Sequence, residues 1–501
     1  MTYIKRITAA AFAVVLLTVA GCKEGYLDIN NNPNQVTAAT PSLVLPDALA
    51  STGSYITTNF YFLNLWMGYW NWSGNYSINL SDKNYQFTNS FNTGIWSNAY
   101  LNLKNYNYLD TQGAALGQPL LQGMGKIMKA LHFQILVDTY GNVPYSDALK
   151  GTSSILPKYD NGQAIYDSLF TQIDAGLALF TKADQQAAQG LTVLNPGSND
   201  IMFGGDISLW RKFANTLKLR MLLRQSEKTD RASVVQAQLA TIKASGYGFL
   251  GAGQSASVNP GYVNSANQQS PFYGGFYQVN GAATQTNNQY KGNLYAITFY
   301  KNTKDPRLAA FYRPVTATTN TFNGTLFGTT DVLVNSQVSD IGPGVLKSVD
   351  QDSPILSSHV SLFMQAEAAQ RGWITGDPKT LYQAAISESF VNVGRTAAEA
   401  TTYYSQTGVN NVNWEASSNK IEAIITQKWA SENSLAPFEA WSDYRRLGLP
   451  TTIPISLEPT TSVKQIPVRL FYPQSEYSTN ATNVNGQGTI NQFTSKIFWV
   501  K

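Results

Sequence analysis

The chain has 501 residues, 43% of them hydrophobic and 12% aromatic, which excludes collagen-like and disordered classes. Thirty-five Lys and Arg against 31 Asp and Glu leave a net charge of +4, with no basic block, so nucleic acid is disfavoured as the main partner. Two His and one Cys exclude most His/Cys zinc sites and every internal disulfide, so the polar surface falls to Asn, Gln, Ser, Thr and Tyr, which suit neutral hydroxylated ligands better than phosphates.

Lys5 and Arg6 followed by the apolar run 9–19 and the small pair Ala20-Gly21 read as a secretory signal over 1–21. Cys22 directly follows Val19-Ala20-Gly21, which resembles a bacterial lipobox, so Cys22 is expected to become the acylated mature N-terminus. Two or more acyl chains anchor a protein stably where one does not. Removal of 1–21 takes away two cations and no anion, so the mature balance falls to +2. Residues 22–45, rich in Asn, Pro and Thr, read as an extended tether.

A helical pattern begins at Pro46, and further helices are expected at about 93–112, 118–138, 160–183, 206–227 and 231–245. Trp210, Phe213, Ala214, Leu217 and Met221 fall on one helical face, as do Ile165, Leu169, Ile173, Leu177 and Phe180. Gly, Asn, Ser, Thr and Tyr dominate 246–357, and six prolines break any long helix there. That stretch reads as a large irregular insertion, and loops this long are usually functional. Helices return at 358–371, 378–392, 419–433 and 437–446, with Gly448 and Pro450 stopping the last. The pattern predicts a mainly α chain of stacked helix pairs of the tetratricopeptide kind, forming one domain over 46–501.

Motifs in a fixed order carry a resemblance. Leu27-Asp28-Ile29-Asn30 with Asn32-Pro33-Asn34 follows the cysteine, and Asp138-Thr139-Tyr140-Gly141-Asn142-Val143-Pro144-Tyr145 lies further on. Gln427-Lys428-Trp429, Glu439-Ala440-Trp441-Ser442-Asp443-Tyr444-Arg445-Arg446, Ile466-Pro467-Val468-Arg469 and Ile497-Phe498-Trp499-Val500 complete it. Together they resemble the SusD/RagB family of Bacteroidetes outer-membrane lipoproteins. The resemblance implies a SusD-like fold with four tetratricopeptide-like helix pairs and an irregular ligand-binding region. It also implies a lipid-anchored protein facing the cell exterior over a SusC-like TonB-dependent barrel, which captures oligosaccharides and passes them on. No catalytic group or cofactor is implied, and Lys23-Glu24 resembles the family's surface-export signal. The motifs themselves are expected to serve the core: Trp441 and Tyr444 inward, Arg445 and Arg446 at a helix C-terminus.

Catalytic signatures are absent from the sequence, with no Gly-x-Ser-x-Gly elbow, Walker A loop or His-Glu-x-x-His helix. Gly246-Tyr247-Gly248-Phe249-Leu250-Gly251 matches a dinucleotide fingerprint, but a helix precedes it and a loop follows, the wrong context. His132 and His359 lie on apolar helical stretches and read as packing residues; Asp350 and Asp352 read as a solvated turn rather than a calcium site. Sugars are held by flat aromatic faces with amides and carboxylates at their edges. Two stretches have that mixture: Trp72, Asn75 and Tyr76 in the first loop, and Phe272, Tyr273, Phe276 and Tyr277 in the insertion, with Tyr290 beyond. Trp66 and Trp96 are expected in the core. Rival readings are peptide uptake of the RagB type, a surface glycosidase using two carboxylates, and a scaffold that binds no nutrient.

Overall fold

The computed structural model describes residues 39–501 apart from 317, 319 and 332. The expected signal peptide, Cys22 and most of the expected tether lie outside the described residues. Helix α1 (Pro41–Thr58) begins five residues before the expected start at Pro46, so residues 41–45, expected as tether, are helical. Pro46 falls in the second turn, where it removes one intrahelical hydrogen bond. Burial of Leu45, Ala48 and Leu49 offsets that loss. The single turn α2 (Tyr61–Trp66) follows.

Helices α3 (Gly94–Ala115) and α4 (Pro119–Tyr140) form a hairpin across the three-residue turn 116–118, and α5 (Gly162–Ala188) packs on the other side of α4. Glycines set how close these helices come. A Cβ on Gly125 of α4 would lie 2.8 Å from the Tyr106 carbonyl oxygen and 2.9 Å from the Asp110 nitrogen of α3. One on Gly123 would meet the Phe180 ring of α5 at 2.7 Å. Asn161 caps α5, accepting from the backbone N–H groups of Gln163 and Ala164. Asp206 does the same for α6 (Ile207–Arg224), which is followed by α7 (Ala232–Ser245).

The stretch 246–357 contains short elements, among them α8 (Pro271–Phe276) and α9 (Leu294–Asn302). After it come α10 (Ser358–Gln370), α11 (Pro378–Asn392), α12 (Ala397–Tyr404), α13 (Lys420–Glu432) and α14 (Pro437–Leu447). α10 pairs with α11 as α3 does with α4, so consecutive helices stack as the amphipathic periodicity predicts. Gly448 at φ 71° ends α14 in the left-handed conformation. Among the described residues, three two-stranded antiparallel ladders tie separate segments together: β1 (Trp70–Trp72) with β5 (Tyr290–Gly292), β2 (Val143–Pro144) with β3 (Tyr159–Asp160), and β4 (Ala256–Val258) with β6 (Ser353–Leu356). No helix among the described residues is long and apolar enough to cross a membrane.

The motif residues meet in the interior, as expected, but as a charge network rather than as apolar packing alone. Asp138 accepts from Trp499 Nε1 at 2.8 Å and from the Tyr166 hydroxyl, and pairs with Arg224 at 3.4 Å. Arg224 also donates to Glu439 at 2.7 Å. Lys428 pairs with Asp443 at 2.6 Å and with Glu432 at 2.7 Å. Arg446 grips both carboxylate oxygens of Glu367, one at 2.6 Å, and reaches Asp443 at 2.8 Å. Arg445 lies 3.4 Å from the centroid of the Trp441 ring, so both arginines serve burial contacts beyond the helix dipole. Trp441 is buried and Tyr444 half-buried. His132 is buried, with Nε2 2.9 Å from the Thr52 hydroxyl, and burial lowers its pKa to about 3, so it packs as a neutral ring. Asp350 and Asp352 are exposed, and Asp352 accepts from Asn259 at 3.0 Å.

Candidate functional site

The Trp70-Asn71-Trp72 triplet forms β1, so successive side chains alternate between faces. Trp70 is buried and donates from Nε1 to Ser434 at 2.8 Å. Asn71 is buried on the other face, donating to Thr325 at 2.6 Å and to the Leu326 carbonyl at 3.0 Å. Trp72 ends the strand half-buried, opposite Tyr290 in the antiparallel register. Their rings sit 5.3 Å apart at 60°, a cross-strand aromatic pair. The insertion is therefore joined to the first loop at the position where Trp72 is displayed.

This pair borders a cleft of about 260 Å³. Tyr61, Phe62 and Trp66 from α2, with Phe91, supply further aromatic wall, and Thr58, Asn59, Asp82 and Asn92 supply polar edge. The indole Nε1 of Trp72 has no hydrogen-bond partner among the described residues although it is buried, and neither has the Tyr61 hydroxyl. An unpaired buried donor costs about 1–3 kcal/mol. Burial pushes the Tyr290 hydroxyl up to about 12, with the charge of Asp82 adding to it. Burial also raises Asp82 itself. Asp82 is the single acidic residue among those lining the cleft, whereas glycoside hydrolysis in its usual form needs two carboxylates flanking the bond.

The other sequence-predicted residues are distributed around this cleft. Asn75 is exposed, but its side-chain oxygen accepts from the Asn335 backbone N–H at 2.7 Å, fixing the first loop against 333–335. Tyr76 is half-buried in the same turn and does not line the cleft. Phe272 and Phe276 are four apart on α8 and both face inward, 4% and 0% exposed, so they pack in the core and offer no face to a ligand in this form. Tyr273 and Tyr277, also four apart, are half-buried with rings 5.2 Å apart.

Tyr61 links the two stretches, lying 5.9 Å from the ring centroids of both Phe272 and Phe276 and 6.1 Å from that of Tyr290. Tyr61, Asn59, Asp82 and Asn92 carry no signal in the sequence beyond residue type. The alternation of Trp70 and Trp72 does carry one, since it places the two indoles on the same face of a short strand, one deeper than the other. Trp66 and Trp96 are core residues, 2% and 6% exposed.

Comparisons with known proteins agree with this architecture. A family model described as SusD-like, "starch-binding associating with outer membrane", matches residues 33–473. None of the curated proteins matches the chain. Among solved structures, a chitin-binding protein superposes with a TM-score of 0.74 at 24% identity, covering 92% of this chain and all of that one. A chitin-binding SusD homologue from Flavobacterium johnsoniae gives 0.75 at 21% identity, covering 91% and 98%. A SusD homologue from Bacteroides fragilis gives 0.73 at 20%, covering 92% and 99%.

Proposed function

Since the chain belongs to the SusD-like family of starch-binding, outer-membrane-associated proteins, we propose that it captures a neutral oligosaccharide in the Trp72–Tyr290 cleft and delivers it to a SusC-like TonB-dependent transporter. The observation that carries this reading is the cross-strand Trp72–Tyr290 pair beside a cleft with a polar edge and an unpaired indole donor. Ring C–H faces of a sugar would lie on the aromatic surface, while Asn59, Asp82 and Asn92 would satisfy its hydroxyls. Acylated Cys22 would hold the protein at the outer membrane, on the exterior side, and the role needs no catalytic group. The two chitin-binding relatives make N-acetylglucosamine oligomers the first ligands to try, alongside α-glucans.

The test is isothermal titration calorimetry with chitin oligomers, maltooligosaccharides, an anionic glycan and short peptides. Saturable binding to a neutral glycan, weakened by Trp72→Ala, is the expected result. Binding to peptides alone would replace this reading with peptide uptake. Binding to nothing would leave a scaffold.

A further inference from the structure

We propose that the glycan site does not end at the aromatic cleft but continues along the seam between α1 and α3, so that the ligand is a linear, uncharged oligosaccharide longer than the cleft itself. This extends the function proposed above and rests on it. A second cleft of about 480 Å³ lies along that seam, and Thr58 and Asn59 line both clefts. The two spaces therefore meet at one lip. Gly94 at the start of α3 lies against that lip, where a Cβ would come within 2.9 Å of the Asn59 side-chain oxygen.

The sequence pattern of the seam is unlike the apolar faces that join the other helices. On α1 Asp47, Ser51, Ser54 and Thr58 recur every three or four residues as one stripe along the lining, with buried Tyr55 beside it. On α3 the corresponding stripe is Asn98, Asn102 and Asn105, with the same spacing. The face of α3 turned inward carries Ala99, Leu103, Tyr106 and Leu109, all buried. Eleven residues separate Asp47 from Thr58, so the stripe is about 16 Å long at 1.5 Å per residue. That is the shape of a trough for a chain rather than a pocket for a monomer.

The chemistry of the trough selects the ligand. Its residues are hydroxyls and amides, with Asp47 the single charged side chain lining it. Leu101, 63% exposed, lies among them and offers an apolar contact for a sugar face. Neutral hydroxyls match such a lining, whereas an anionic chain would find no cation in it. At the rim of the seam the existing contacts are long. Asn98 donates to Asn59 at 3.4 Å and Asn105 to Asp47 at 3.4 Å, and the hydroxyls of Ser51 and Ser54 donate to no protein group among the described residues. These groups can be exchanged for ligand hydroxyls at little cost. The floor beneath is fixed: buried Asn102 donates to the Ala48 carbonyl at 2.9 Å and to Thr52 at 3.0 Å, and Thr52 is 2.6 Å from the Tyr106 hydroxyl. A rigid floor under a loosely bonded rim is preorganised for binding.

The experiment is calorimetry with the di- and hexasaccharides of N-acetylglucosamine, and with maltose and maltohexaose in parallel, on three proteins. These are the unaltered chain, Asn105→Ala, and Ser51→Tyr, which fills the trough. Neither changed residue lines the aromatic cleft, and because both are half-buried at the seam, thermal unfolding of each variant is measured beside its binding. In the unaltered protein the bound hexasaccharide should exceed its disaccharide in affinity by about tenfold or more, two or three hydrogen bonds' worth. Both variants should lose most of that length advantage and keep disaccharide affinity. A hexasaccharide no tighter than the disaccharide, or a length advantage that survives both variants, overturns the trough and leaves the aromatic cleft standing. No binding of any oligomer by the unaltered protein overturns both.

Discussion

Removal of the Arg446 guanidinium tests the buried charge network. Arg446 is 1% exposed and bonds both oxygens of Glu367, Asp443 at 2.8 Å and Ser226 at 3.2 Å. Arg446→Met keeps most of the aliphatic volume, so the change removes charge rather than opening a large cavity. Glu367 would retain Arg371 at 2.9 Å, and Asp443 would retain Lys428 at 2.6 Å. Breaking one side of a buried pair costs about 3–5 kcal/mol. The two remaining cations place the expectation at the lower end, about 3 kcal/mol, still a large share of the roughly 5–15 kcal/mol that holds a typical domain.

The pH dependence of this loss has a definite sign. Burial alone would raise the Glu367 carboxyl, but Arg446, with Arg371 behind it, brings it below its ordinary value. A carboxyl lowered in the folded state stabilises above its unfolded pKa and loses that contribution as pH falls. Without Arg446 burial dominates, so the gap between the two proteins should be widest near pH 7 and narrow toward pH 4. Urea unfolding at both pH values measures it. Adding Glu367→Leu should recover about 2 kcal/mol, because the uncompensated carboxylate is then gone. A single-variant loss under about 1 kcal/mol, or a double variant no better than the single, would refute the reasoning.

Three further outcomes are expected. Burial raises the Glu432 carboxyl to about 8 despite Lys428 at 2.7 Å, so the stability it contributes is present below its unfolded value of 4.5 and lost as pH climbs through 8. Glu432→Gln should remove that decline, read as urea midpoints at pH 5, 7 and 8.5; equal slopes in both proteins would contradict it. Gly125→Ala gains about 1 kcal/mol of helix propensity but forces a Cβ onto the α3 backbone, a clash worth about 1–3 kcal/mol that cannot relax by side-chain rotation. Net destabilisation is expected in thermal unfolding, and a raised Tm would sink the close-packing argument. Trp72→Ala should weaken glycan binding by about 1.5–3 kcal/mol, roughly 10- to 100-fold in Kd, from lost aromatic burial; an unchanged Kd in calorimetry would remove Trp72 from the site.

The helices were legible because their faces repeat. Ile165, Leu169, Ile173 and Phe180 are buried on α5, and Gly448 ends α14 where its residue type says it should. The start of α1 was not legible, because Pro46 reads as a boundary when Pro41 is the true first-turn proline. The charge network was invisible for a different reason. Asp138, Arg224, Glu367 and Arg446 are far apart in the chain, and sparse charge in a sequence gives no sign that the charges are buried together. In the aromatic-rich stretches, residue type alone could not separate Phe272 and Phe276, buried on α8, from Tyr273 and Tyr277, which are half-buried. The cleft's polar edge comes from Asn59, Asp82 and Asn92, which nothing but tertiary contact brings beside Trp72.

The central claim is that the Trp72–Tyr290 cleft holds the sugar, and the most direct test is a crystal structure of the protein with its tightest-binding neutral oligosaccharide. The account predicts a sugar ring against the Trp72 and Tyr290 faces, with a hydroxyl or amide oxygen accepting from Trp72 Nε1. A glycan bound elsewhere, with that cleft left unchanged, would contradict it.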